Sequence, residues 1–131
     1  MPEYTLKDKS DSTTGSERHI NHYSYNLDAI PAGFIAIAEG NDSQFTWIEY
    51  RNEEEAVIFI RFGGNLSLVN NVDTENADYV EPVSIHGYEG FIIEKGNNIQ
   101  IVWADVEKEI FIDLICTGIA RETAISIALN M

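Results

Sequence analysis

Ile99-Gln100-Ile101-Val102-Trp103-Ala104, then Asp105-Val106-Glu107-Lys108, then Glu109-Ile110-Phe111-Ile112-Asp113-Leu114-Ile115-Cys116 shows the architecture most directly. Side chains along a strand alternate between the two faces of a sheet, so Ile99, Ile101 and Trp103 share one side. Ile110, Ile112 and Leu114 do the same in the next run, and a polar four-residue link lets the two runs fold back on each other. Together they make one continuous apolar face, with Trp103 expected in the core. Alternation puts Asp113 on the other side, with Phe111 and Ile115; an open face, kept wet by that carboxylate, is the expectation there.

Strand signals recur upstream at intervals of about ten residues, bounded by turn chemistry. Ile30-Pro31-Ala32-Gly33 leads into Phe34 to Ala38, and Glu39-Gly40-Asn41-Asp42-Ser43 reads as a turn. Phe45 to Arg51 and Ala56 to Phe62 are rich in β-branched and aromatic residues. Asn52-Glu53-Glu54-Glu55 between them reads as a hairpin tip, and Gly63-Gly64-Asn65 as the end of the pair. Leu66 to Val69 is expected as a short strand, followed by an acidic loop over residues 70–78. Tyr79 to Ile85 is extended, with Pro82 marking an edge or a bulge because proline donates no ladder hydrogen bond. His86-Gly87-Tyr88-Glu89-Gly90 turns into Phe91 to Lys95, and Gly96-Asn97-Asn98 turns back into Ile99.

Helical periodicity is confined to the end. Ala120, Ala124, Ile127, Ala128 and Met131 recur at three- and four-residue spacing, with Ile125 and Leu129 widening the stripe. Such a helix must bury its apolar side, and the sheet is the available partner. The predicted fold class is therefore α+β: an antiparallel β-sheet meander with a C-terminal α-helix packed on one face. Residues 1–18 are polar and read as a flexible tail or linker, and residues 19–131 as a single domain.

Composition narrows the function. Eight Lys+Arg against 22 Asp+Glu give a net charge of −14, which repels phosphate backbones and anionic lipids. Neither a nucleic-acid partner nor membrane insertion by this chain is expected, since no apolar run approaches the roughly 20 residues of a bilayer span. The opening residues carry no apolar signal-peptide core. The chain is read as cytoplasmic if complete, or as a soluble fragment of a longer exported or membrane-anchored protein.

Ordered features from Tyr25 to Met131 resemble the bacterial domain of unknown function numbered 4367. Ile30-Pro31-Ala32-Gly33-Phe34 is similar to that family's "lPeGy" turn, and Trp47-Ile48-Glu49-Tyr50 to its "itY" strand. Val72-Asp73-Thr74-Glu75-Asn76-Ala77, with Val83-Ser84-Ile85-His86-Gly87-Tyr88-Glu89-Gly90, is similar to its "iDtEnA…v.inG.eG" signature. Ile101-Val102-Trp103 and Phe111-Ile112 match its "liW…f.i" strands. The family often forms the outer C-terminal part of anti-sigma-factor-like membrane proteins in Gram-positive bacteria. The resemblance therefore implies an extracytoplasmic sensing or partner-binding module, and it brings no assigned catalytic residue. The family usually opens its helix with Ser/Thr; Ala120 stands there here, so Thr117 is expected to cap a slightly earlier start.

Candidate chemistry is sparse. His19 and His22 form H-x-x-H beside Glu17, but residues three apart on a strand point to opposite faces, so an exposed flank is expected and no metal site is predicted. Asp73, Glu75 and Asp78 lack the spacing of a calcium loop, and a solvated loop is the default. His86 reads as a turn residue, and Cys116 as a buried, inert thiol. No nucleophile elbow or phosphate loop is present. The chain is expected to be no enzyme, with no cofactor. Trp47, Tyr50, Tyr79 and Tyr88 are the candidate partner-binding residues, because aromatics are enriched at interfaces. The expected function is a non-catalytic sensing or protein-partner-binding domain acting through a free sheet edge near Pro82. The alternative is an acidic decoy that occupies a basic site, which requires carboxylates gathered on one face.

Overall fold

The computed structural model describes residues 27–131. Short 3-10 turns cover Leu27–Ala29 and Leu66–Asn70. Seven strands follow in chain order: β1 (Ile35–Asn41), β2 (Phe45–Arg51), β3 (Val57–Gly63), β4 (Tyr79–Ile85), β5 (Tyr88–Lys95), β6 (Asn98–Asp105) and β7 (Ile110–Thr117). Helix α1 (Arg121–Asn130) closes the chain. The strands form one antiparallel sheet in the order β1-β2-β3-β7-β6-β5-β4. The predicted α+β class holds, as two meanders, β1–β3 and β4–β7, zipped together along β3 and β7.

Alternation sorts the side chains onto two faces. The helix face carries Ile58, Ile60, Phe62, Ile101, Trp103, Ile112 and Leu114, all essentially without solvent contact. Helix α1 packs over β6 on this face, burying Ala124, Ile127 and Ala128. Two alanines on that seam let the helix backbone approach the sheet closely. Ile125 and Met131 are partly buried against the same core, whereas Leu129 is exposed, so the apolar stripe is narrower than the sequence pattern suggests.

The opposite face is covered over β5–β7, and this corrects the expectation of an open, wet side around Asp113. Residues 64–78 carry the chain from β3 to the far edge of the sheet. On the way Leu68, Val69, Val72 and Ala77 pack against Ile93, Val102 and Phe111. The stretch expected as a strand from Leu66 is instead the 3-10 turn. Asn65 is the cause: its side-chain oxygen accepts from the Ser67 amide at 3.1 Å and the Ser67 hydroxyl at 2.7 Å, curling the chain before it can extend.

Three turn boundaries also shift. Glu39, Gly40 and Asn41 continue β1, and the reversal is made by Asp42, whose Oδ1 accepts the amides of Gln44 and Phe45, both at 2.8 Å. Gly40 suits the strand because the Trp47 ring lies over it; a Cβ there would sit 2.8 Å from Trp47 Cζ2. His86 and Gly87, both at positive φ, alone make the two-residue β4–β5 turn, so Tyr88 to Gly90 belong to β5. Thr117 does not cap α1. It ends β7, donating its hydroxyl to Asn98 Oδ1 at 2.7 Å, and Ala120 stands at the N-cap without a side-chain bond.

The Asp42 turn yields a first prediction. Its two amide donors hold the Asp42 carboxyl below the usual carboxylate range. A depressed folded pKa stabilises the fold above the ordinary Asp value and is lost as pH falls through the folded one. Asp42→Ala should lower the denaturation midpoint at pH 7, and Asp42→Asn should lower it less. Both differences should shrink below about pH 4, as read by urea titrations across pH.

Candidate functional site

The four candidate aromatics do not form one surface. Trp47 lies on the face opposite α1, paired across the strands with Arg61 and stacked on Phe59 with ring centroids 6.0 Å apart. Tyr50 and Tyr88 pack against the helix-side core. Burial first, then the nearby Glu107 and Asp105 carboxylates, holds the Tyr88 phenol above its ordinary value.

Tyr79 belongs to a cluster that ties α1 to the β4 edge. Its phenol donates to Glu81 Oε1 at 2.8 Å, and Arg121 Cζ sits 5.2 Å from its ring centre. Arg121 donates to Glu81 Oε1 at 2.6 Å and also to Glu94 Oε2. The Tyr79 hydroxyl and then Arg121 hold the Glu81 carboxyl low, while Glu81 and Glu94 raise the Arg121 guanidinium. Glu81 and Glu94 reach the same cation because both lie on the helix face of neighbouring strands, where Tyr79 pairs with Glu94 and Glu81 with Ile92. This cluster is structural: it clips the start of the helix to the sheet.

A second polar cluster sits on the other face. Asp113 is directly opposite Arg61 in the β3–β7 register and has no solvent exposure. Arg61 Nη2 and Nε both donate to Asp113 Oδ2, at 2.6 and 3.1 Å, and Gln100 Nε2 donates to Oδ1 at 2.9 Å. The Arg61 guanidinium also stacks 4.2 Å from the Phe45 ring centre. The sequence singles out Asp113 as an interruption, but nothing local pairs it with a residue 52 positions upstream.

The remaining candidates serve as turn chemistry. Asp73 Oδ1 accepts the Glu75 amide at 2.9 Å, with Lys95 at 3.7 Å from Oδ2, and Asp78 Oδ2 accepts the Gly96 amide at 2.7 Å. His86 occupies a turn at positive φ. His19, His22, Glu17 and the tail over residues 1–18 lie outside the described residues. Among the described residues, no three His, Cys, Asp or Glu side chains gather as a metal site would require. Cys116 is wholly buried, and burial pushes its thiol up to about 12. Its modification by a water-soluble thiol reagent should therefore track global unfolding. A native-state rate that ignores added denaturant would contradict this.

Two groups of turn acids lie at opposite ends of the sheet. Glu53, Glu54 and Glu55 sit at the β2–β3 turn, the end that also holds Val57 paired with Thr117. Asp42, Glu107 and Glu109 sit at the opposite end, where Phe45 pairs with Gly63 and Asp105 with Ile110. No helix among the described residues is long and apolar enough to cross a membrane.

A seven-stranded antiparallel sheet backed by one C-terminal helix, with its ionisable clusters spent on internal ties, defines a small α+β domain. Residues 24–131 match the model of the family described as domain of unknown function DUF4367, and the chain belongs to that family. No curated protein and no solved structure matches it.

Proposed function

We propose that the chain is a non-catalytic sensing or partner-binding domain, serving as the extracytoplasmic part of a bacterial membrane-linked regulator. The observation that carries the partner-binding half of this reading is the open sheet; the extracytoplasmic half rests on the family resemblance. Among the described residues β1 and β4 each pair on one side only, which leaves a row of backbone donors and acceptors available to another chain. The clustered ionisable groups support it as well. Arg61–Asp113 and Arg121–Glu81–Glu94 are matched to one another inside the fold, an arrangement suited to holding shape. The separation of these two groups of turn acids, and the engagement of Glu81, Glu94 and Asp113 by arginines, favour partner binding over the decoy reading, which needs carboxylates spaced like phosphates on one face.

The test is affinity capture from envelope and cytoplasmic fractions of the source cells with the full chain as bait, at moderate salt. The reading expects a specific protein partner from the envelope fraction, competed by free domain. Recovery of none, or of a partner confined to the cytoplasmic fraction, would overturn the corresponding half of the proposal.

A further inference from the structure

The two edges of the sheet differ in kind. Edge strand β4 contains Pro82, which removes a ladder donor, and the carboxylate of Glu81 is already bound to Arg121. Beside it, Glu94 is held by the same cation and Asp78 by the Gly96 amide. Edge strand β1 has no proline. It exposes the aliphatic side chains of Ile35 at 67% and Ile37 at 48%, against Tyr79 at 47% and Val80 at 43% on β4, where Tyr79 is already engaged by Glu81 and Arg121.

Charge around β1 is one-sided. Over residues 27–56 the acids are Asp28, Glu39, Asp42, Glu49 and the Glu53, Glu54, Glu55 run, against Arg51 alone. Arg51 is itself bound to Glu49 at 3.1 Å. Glu39 lies within β1. Asp42 follows its C-terminal end, and the Glu53 to Glu55 turn adjoins its N-terminal end, where Ile35 pairs with Arg51. A register shift between Ala36 and Ala38 makes Ile37 a bulge, across which a second copy's identically bulged edge pairs poorly, whereas a flexible incoming segment can bond on either side of it. Like charge on both copies opposes that pairing further.

We propose that β1 is a docking edge for an extended, basic segment of a partner protein, added as a further antiparallel or parallel strand beside Ile35–Asn41. Backbone bonds supply the affinity, Ile35 and Ile37 receive apolar side chains, and the surrounding carboxylates select Lys or Arg on the incoming strand. This rests on the partner-binding reading and names the chemistry of the partner.

The test uses the full, isotopically labelled chain and a capped peptide of about eight residues, the length of an ordinary strand, alternating valine and lysine. A valine–glutamate peptide is the control. The valine–lysine peptide is expected to slow amide exchange in β1 about tenfold while leaving β4 unchanged, and to bind more weakly as salt rises from about 50 to 500 mM. The double variant Ile35→Lys, Ile37→Lys, made at exposed positions, should abolish that protection and keep the native spectrum. Protection at β4, no protection, or equal protection by the acidic peptide would overturn the assignment. So would β1 amides that exchange as slowly as core amides in the free chain, since the edge would then be occupied by the chain's own preceding residues or by a second copy. If the double variant still captures the cellular partner, the β1 assignment fails and the partner-binding reading stands. If the unaltered chain captures none, that reading itself fails.

Discussion

Replacing Arg61 with Ala is expected to destabilise the domain by about 3–5 kcal/mol. The reason is the asymmetry of the pair. Asp113 has no solvent contact, whereas the Arg61 side chain keeps 34% of its exposure. Without Arg61 a buried carboxylate is left with Gln100 as its remaining side-chain donor among the described residues, and the desolvation penalty goes uncompensated. Asp113→Ala should cost less, because the guanidinium can rehydrate and still pack on Phe45. The apolar double replacement Arg61→Met, Asp113→Leu should cost less than Arg61→Ala alone, since neither charge is then stranded. Urea denaturation at pH 7, with the slope checked for two-state behaviour, orders the three variants. A greater loss for Asp113→Ala than for Arg61→Ala would contradict the account.

Gly90→Ala is expected to be as severe, at about 3 kcal/mol or more, for a purely steric reason. Gly90 pairs with Trp103 at one end of the β5–β6 ladder, and a Cβ built there lies 2.0 Å from the Val102 carbonyl oxygen and 2.9 Å from Trp103 Cβ. The obstruction is backbone, so relief requires the two strands to part. Gly87→Ala makes the control. That residue has φ +86 but open space around it, so its substitution carries only the left-handed backbone cost, about 1–2 kcal/mol. Thermal melts followed by circular dichroism compare the two; a smaller drop for Gly90→Ala would refute the close-approach argument.

Much of the fold is legible in local pattern. Runs of β-branched and aromatic residues mark β2 and β3, period-two alternation marks β6 and β7, and the residues predicted to face the helix, Ile99, Ile101, Trp103, Ile110, Ile112 and Leu114, are all in the main core. Three- and four-residue spacing locates α1, and of the edge or bulge that Pro82 signals, β4 is an edge strand among the described residues. The turn boundaries were harder to read, because one carboxylate at Asp42 and one amide at Asn65 decide where the chain bends, and both act through bonds to particular backbone amides. The candidate aromatics were legible only as a residue type. Whether Trp47 and Tyr50 share a face depends on strand parity, which separates them, while Tyr79 is drawn to Arg121 by a helix far along the chain.

Local pattern suffices for most strands and the helix, for the apolar face that receives the helix and for the buried position of Cys116. Long-range packing sets β3 beside β7, lays residues 64–78 over the second face at β5–β7, and so encloses Asp113 with Arg61 as its partner. The physical reason is range. Periodicity and turn chemistry act over a few residues, whereas strand order follows from burying both faces at once, and that condition is satisfied only by the whole chain.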